Sequence, residues 1–173
     1  MPLTIHWQAI EDSNETVVHV TTAFATLRLY LSGGVIRKSA WLVSQAQAGD
    51  LNEPLSQQVK QYLENTDSLQ LTLALQEQGS AFSNRVWREL LKIPFGETMT
   101  YAQLAAHIGS GARAVANACR HNPFPGIIPC HRVVSAKGIG GFMGQSQGPY
   151  VELKRDILCY EASTKGGYEN KFD

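Results

Sequence analysis

Apolar positions along this chain of 173 residues follow two periods, with a changeover near residue 80. Before it, Phe24–Leu31 and Val35–Val43 are rich in β-branched, aromatic and alternating apolar residues. Ser32-Gly33-Gly34 lies between them, a tight-turn signal, so the pair predicts a β-hairpin. Glu53-Pro54 then opens a stretch with Leu55, Val59, Tyr62 and Leu63 at helical spacing, proline occupying an allowed first-turn position. Leu69, Leu71, Leu73 and Leu75 alternate as in a further strand. The expectation is a small N-terminal α/β domain, residues 1–78, built on an antiparallel sheet. It carries no chemistry, and His6 and His19 are surface or core-edge residues.

After the Gln76–Ser80 linker the period becomes helical. Phe82, Val86, Leu90 and Ile93 predict one helix, stopped by Pro94-Phe95-Gly96. Thr100 and Gln103 match a capping box, opening a second helix from Tyr101 to about His107. Gly109-Ser110-Gly111 is a turn, and Ala112–Arg120 is a third helix. Helix, glycine-containing turn and helix outline a helix-turn-helix. The last of these helices is rich in small residues (Ala112, Ala114, Ala116, Ala118). It carries Arg113, Ala116, Asn117 and Arg120 on one face. Such a face suits close approach to a groove, with arginine on phosphate or as a wedge. Tight packing with solvated arginines is the commoner use of such a helix, and the helix pair alone favours it. Val151–Glu161 predicts a final helix, and 164–173 a polar tail. The fold class is therefore α+β, with a mostly helical C-terminal domain (79–163) of winged helix-turn-helix type.

Charge changes the picture more than total composition does. The formal net charge is zero, yet residues 1–80 hold 4 basic against 8 acidic side chains while 81–137 hold 7 against 2. A basic segment beside a helix-turn-helix points to a polyanion partner. The three cysteines, Cys119, Cys130 and Cys159, form no CxxC pair. That argues against a disulfide framework or a thiol-rich zinc site and for a reducing, cytoplasmic setting. Neither a signal peptide nor a membrane-spanning stretch is expected.

The chemistry concentrates in Ile128-Pro129-Cys130-His131-Arg132-Val133-Val134. A free thiol is only a few per cent ionised at neutral pH and needs an adjacent base or cation to become a good nucleophile. His131 stands next to Cys130, and Val133-Val134 predicts a buried strand that holds the thiol. An inert buried cysteine is the commoner fate of a lone Cys-His pair. Upstream, Asn122-Pro123 forms a turn whose side-chain amide can bond local backbone. Downstream, Gly138–Gly144 is a glycine-rich loop without phosphate-loop spacing, which excludes nucleoside triphosphate binding of that type.

Asn122-Pro, Ile128-Pro-Cys-His-Arg-Val-Val134, Phe95-Gly-Glu-Thr-Met-Thr-Tyr101 and Ala112-Arg-Ala-Val115 together resemble the alkylguanine-DNA alkyltransferases (methylated-DNA–protein-cysteine methyltransferases). The likeness runs from about Ala81 to Glu161. It implies repair of double-stranded DNA, bound in the minor groove, by flipping an alkylated guanine out of the duplex and moving the alkyl group from O6 to Cys130, once per molecule. On this resemblance His131 takes the thiol proton through a water, Glu161 orients His131, and Tyr101 contacts the guanine edge or the flanking phosphate and helps protonate the departing base. Arg113 fills the gap left by the flipped nucleotide. Ala112, Ala114, Ala116, Asn117 and Arg120 line the DNA contact, and Asn122 is the hinge. Pro129, Val133, Gly140, Gly141, Phe142 and Met143 form the base pocket. No cofactor or metal is implied, and the protein is expected to be a monomer. The glycine loop departs from the family's Gly-Tyr-Ala/Ser-Gly-Gly at Phe142 and Met143, with about four extra residues after it. The alternative within this resemblance is a lesion sensor without transfer, which characteristically lacks the cysteine. An unrelated cysteine hydrolase would turn over repeatedly without DNA.

Overall fold

The computed structural model describes residues 3–43, 53–66 and 70–165. The chain forms two compact units, Met1–Gln78 and Gly79–Asp173.

Five strands make up the first unit: β1 (Leu3–Gln8), β2 (Thr16–Thr21), β3 (Thr26–Ser32), β4 (Val35–Leu42) and β5 (Leu71–Gln76), with helix α1 (Pro54–Glu64) between β4 and β5. The β3–β4 hairpin turns at Gly33 and Gly34, whose φ of 56° and 79° are the left-handed values a two-residue turn of this twist requires. Strand order is β1-β5-β4-β3-β2, and β2, β3 and β4 are antiparallel neighbours. The expectation of an antiparallel sheet fails at the other edge. β5 pairs parallel with β1 from Leu3↔Leu71 to Gln8↔Gln76, and parallel with β4 at Ile36↔Leu75. The cause is the α1 crossover, which returns the chain so that β5 runs in the direction of β4. β1 and β2 were not anticipated either, because each is a short run interrupted by polar residues that only its neighbours make coherent. Val59 and Leu63 of α1 are buried, as are Leu27, Leu29, Trp41, Leu71, Leu73 and Leu75 of the sheet. Leu69 falls outside the described residues.

In the second unit α2 (Ala81–Leu90) is capped by Ser80, whose hydroxyl accepts from Ser83 N at 3.1 Å. Its Val86, Trp87 and Leu90 point inward, and Trp87 Nε1 donates to Ala118 O at 3.0 Å. The two-residue strand β6 (Met99–Thr100) leads into α3 (Tyr101–Ile108), which starts with both hydrogen bonds of a capping box between Thr100 and Gln103. Satisfying two free amides there fixes where the helix begins. Gly109, at φ 66°, ends α3, and α4 (Ala112–Arg120) follows after Gly111. Val115, Ala118 and Cys119 of α4 are buried while Ala112, Arg113, Ala114, Asn117 and Arg120 are exposed. The helix-turn-helix outline is therefore present with its small-residue and arginine positions on the open side.

The expected strand at the cysteine is shorter than its apolar pattern suggests. Cys130–Arg132 form a 3₁₀ turn, and only Val133–Val134 are extended, as β7, paired parallel with β6. Pro129 has no amide to contribute to a ladder, and its carbonyl instead accepts from Arg132 N at 3.1 Å, closing the turn. Helix α5 (Pro149–Thr164) completes the unit, with Val151, Leu153, Lys154, Ile157, Leu158 and Glu161 buried. Residues 166–173 of the expected polar tail lie outside the described residues. Among the described residues no helix is long and apolar enough to cross a membrane, and no group of three or more His, Cys, Asp or Glu side chains could hold a metal ion.

Candidate active site

The turn after α4 is built on Asn122, which is 5 % exposed. Its Nδ2 donates to Ile128 O at 2.9 Å and its Oδ1 accepts from Phe124 N at 2.9 Å. Cys130 N donates to the same Ile128 oxygen at 2.8 Å. One carbonyl thus ties the end of α4 to the backbone that carries the thiol.

The 3₁₀ turn then points three consecutive side chains into the protein. Cys130, His131 and Arg132 are 5, 2 and 9 % exposed. His131 Nε2 lies 2.8 Å from Glu161 Oε1. Arg132 grips the same carboxylate with two prongs, Nε to Oε2 at 2.9 Å and Nη2 to Oε1 at 2.8 Å, while Nη1 donates to Ile93 O at 2.9 Å. Gly96 N approaches Oε2 at 3.4 Å. Gly96 has φ 79°, and a Cβ there would lie 3.1 Å from Glu161 O, so glycine is what lets this loop approach α5.

Ionisation follows from this geometry. Burial resists the charge on Glu161, but the His131 charge and hydrogen bond, then the Arg132 hydrogen bonds and charge, overcome it and hold the carboxyl at about 2. His131 is pulled below the usual imidazole value, chiefly by burial. The Glu161 charge and hydrogen bond oppose that shift, whereas Arg132 and Lys154 add to it. The ring is therefore neutral at pH 7. A neutral imidazole carries one N–H, and with that proton on Nε2 facing the carboxylate, Nδ1 is the basic atom. Among the described residues, the buried His131 Nδ1 finds no hydrogen-bond partner. Burial pushes the Cys130 thiol up, with an Asn122 hydrogen bond, the Lys154 charge and nearby backbone amides opposing. The resting site holds a thiol beside a neutral base, not a preformed thiolate.

Lys154 was not singled out from the sequence. It is fully buried on the inner face of α5, and its Nζ donates to Val133 O at 2.6 Å and Gly141 O at 3.0 Å. Burial lowers its pKa to about 8, with the Cys130 and Cys119 thiols opposing. The available signal was a lysine three residues before Ile157 and seven before Glu161, on the apolar stripe of the helix. Cys119, which no sequence motif singles out, shares this neighbourhood: burial and then Cys130 push it to about 12. Tyr101 is driven up as well, by burial first and then by the Cys119 and Cys130 thiols, so its hydroxyl keeps its proton.

A cavity of about 320 Å³ opens onto Cys130. It is lined by Tyr101, Ala116, Cys119, Arg120, Cys130 and the segment Gly141–Ser146. Of the residues expected in a base pocket, Gly141, Phe142 and Met143 line it. Pro129, Val133 and Gly140 do not; Val133 acts one layer behind through its carbonyl on Lys154, and Gly140 packs toward Ser135 N and the Tyr101 ring. Phe142 and Gln145 exchange two 2.9 Å backbone hydrogen bonds around Met143 (φ 50°) and Gly144 (φ 78°), a two-residue turn. A methionine in the left-handed region is strained, a cost of about 1 kcal/mol or more concentrated at the wall of the cavity. Ala116 and Arg120 put the exposed face of α4 beside the cavity mouth; Arg113, Ala112 and Ala114 lie further along the helix and do not line it.

The helix-turn-helix unit thus carries a thiol, an imidazole and a carboxylate at a cavity by the end of its second helix. Residues 81–163 match the family model described as the 6-O-methylguanine DNA methyltransferase DNA-binding domain. A probable methylated-DNA–protein-cysteine methyltransferase of Acanthamoeba polyphaga mimivirus is 45 % identical over 83 residues, 47 % of this chain and 56 % of that one. A methylated-DNA–protein-cysteine methyltransferase of Saccharolobus islandicus is 48 % identical over 80 residues, 46 % of this chain and 50 % of that one. The match to these curated relatives spans about half of their length. Among solved structures, Mycobacterium tuberculosis OGT in complex with DNA is 30 % identical, with a TM-score of 0.63 over 85 % of this chain and 93 % of that one. This chain belongs to the O6-methylguanine DNA methyltransferase family.

Proposed function

We propose that this protein repairs DNA by direct reversal, moving the methyl group from O6 of a methylated guanine to Cys130. The observation that carries this reading is the buried Glu161–His131 pair beside a cavity onto which Cys130 opens. The guanine leaves the duplex and enters the cavity, because its O6 atom inside the helix is out of reach of a buried thiol. The Cys130 proton passes through a water to His131 Nδ1, and Glu161 stabilises the resulting imidazolium through Nε2. The sulfur attacks the methyl carbon, an S–C bond forms, and the C–O6 bond breaks. The electron pair returns to the guanine, and the Tyr101 hydroxyl, which keeps its proton, donates a hydrogen bond to the departing base. The thioether has no route back to a thiol, so each molecule acts once.

The exposed face of α4 lies in the minor groove, small residues allowing close approach and Arg113 filling the space the base has left. Asn122 joins this helix to the thiol. The protein acts as a monomer on double-stranded DNA, needs no cofactor, and works in the cytoplasm, where its three free thiols stay reduced. The presence of Cys130 disfavours a sensor that binds without transfer.

The test is intact-protein mass after incubation with a duplex containing methylated guanine. A gain of one methyl group at Cys130, saturating at one per protein and absent in Cys130→Ser, is the expected result. Tight lesion binding without mass gain would replace this reading with the sensor.

A further inference from the structure

Arg132 stands immediately after the thiol–base pair, yet its side chain faces away from the cavity and is spent wholly on the far side of the dyad. Nε and Nη2 occupy both oxygens of Glu161, and Nη1 is bound to Ile93 O. The Phe95 ring lies 5.6 Å from the guanidinium and closes one side of it. Few arrangements fix a carboxylate more firmly than a bidentate guanidinium, which sets both position and plane.

The consequence lies in how the carboxylate's acceptor capacity is divided. Oε1 accepts from His131 and from Arg132, and Oε2 accepts from Arg132 with Gly96 N at 3.4 Å. A carboxylate so filled accepts the Nε2–H hydrogen bond but is a poor acceptor of the proton itself. Without the arginine, a buried imidazolium–carboxylate pair can collapse into neutral imidazole and carboxylic acid, as low-dielectric surroundings disfavour separated charge. That collapse would leave the proton shared along the dyad and free Nε2, the nitrogen that faces Glu161, to become the basic atom.

We propose that Arg132 is a positioning residue that fills both oxygens of Glu161, so that Nε2 of His131 always carries the donated proton and Nδ1 is the atom that deprotonates Cys130. This rests on the transfer reading of Cys130 given above. Arg132 also acts at a distance as a like charge that holds down the proton affinity of His131. The other charged groups acting on the imidazole are Glu161 and Lys154, both from α5, and Lys154 acts on the Cys130 thiol as well. Tyr101 of α3 and Cys119 of α4 complete the neighbourhood of that thiol. The Glu97–Lys165 ion pair beside Gly96 is exposed.

The experiment has two arms. Nitrogen-15 spectra of His131 in the unmodified protein show which ring nitrogen holds the proton, independently of any transfer. Single-turnover methyl transfer from a methylated-guanine duplex is then followed against pH in Arg132→Gln and Arg132→Lys. The expected spectrum is the Nε2–H tautomer. In Arg132→Gln the acid limb moves to higher pH by about one unit. In Arg132→Lys, which keeps the charge but not the fork, the limb stays and the plateau rate falls about tenfold. A proton on Nδ1 in the unmodified protein overturns the proposal even if both variants fail to fold. An unmoved limb in folded Arg132→Gln, or a normal plateau in Arg132→Lys, overturns it too. If Cys130 gains no methyl group while the spectrum shows Nε2–H, the transfer reading fails and the dyad assignment does not.

Discussion

The carbonyl of Ile128 accepts from the Asn122 side chain at 2.9 Å and, two residues on in the chain, from the Cys130 backbone amide at 2.8 Å. Asn122 and Cys130 are thus held by one oxygen atom, and a shift in either moves the other. In Asn122→Ala, Ile128 O keeps Cys130 N as a donor, but the buried Phe124 amide loses its acceptor. The two lost buried hydrogen bonds together cost about 1–3 kcal/mol. Chemical denaturation should show that loss, and the transfer rate should fall further than stability alone explains.

Glu161→Gln leaves His131 and Arg132 buried without their shared anion. Breaking such a pair costs about 3–5 kcal/mol. The expected variant is less stable and transfers methyl at least about a hundredfold more slowly. A transfer rate near that of the unmodified protein would remove Glu161 from the mechanism.

The same carboxylate makes stability depend on acid. Its folded value, about 2, lies below the ordinary 4.5. The depressed value means that its contribution is fully present above pH 4.5 and is lost as pH falls from there through about 2. Over that window the protein should lose about 3 kcal/mol on this account. Denaturation midpoints at several acidic pH values check it, and Glu161→Gln should flatten the dependence.

Lys154 holds Val133 O and Gly141 O with one ammonium group, linking the β7 backbone to the cavity wall. Lys154→Met fills the same space without the donors. Two carbonyls then lose a buried partner, about 2–4 kcal/mol in all. The melting temperature should drop, and protease cleavage within 138–146 should speed up. Unchanged cleavage would mean that the loop is held by its own turn.

Arg113 is exposed and makes no contribution to the cavity wall. Arg113→Ala should leave the fold and the reaction with free methylated guanine intact while slowing repair of duplex DNA at least about tenfold, because only duplex requires extrusion. Equal losses on both substrates would show that the side chain serves something other than extrusion.

The sequence by itself determined the local elements that end in strong punctuation, and the candidate chemistry. The capping box at Thr100, the Gly33-Gly34 turn, the helix after Pro54 and the limits of α4 rest on backbone preferences of a few neighbouring residues, which composition expresses directly. Cys130, His131, Asn122 and Glu161 stood out through spacing and family resemblance. Tertiary structure alone decided the direction of β5, since β1 and β5 meet from opposite ends of their unit and only the α1 crossover makes them parallel. It also decided that Cys130 sits in a 3₁₀ turn instead of a strand, that Pro129, Val133 and Gly140 stand behind the cavity, and that Cys119 lines it. The placing of Lys154 and Arg132 was decided for the same reason. A buried charge is defined by the partners that neutralise or hydrogen-bond it, and those partners lie between 13 and 39 residues away in the chain, where no local pattern can reach.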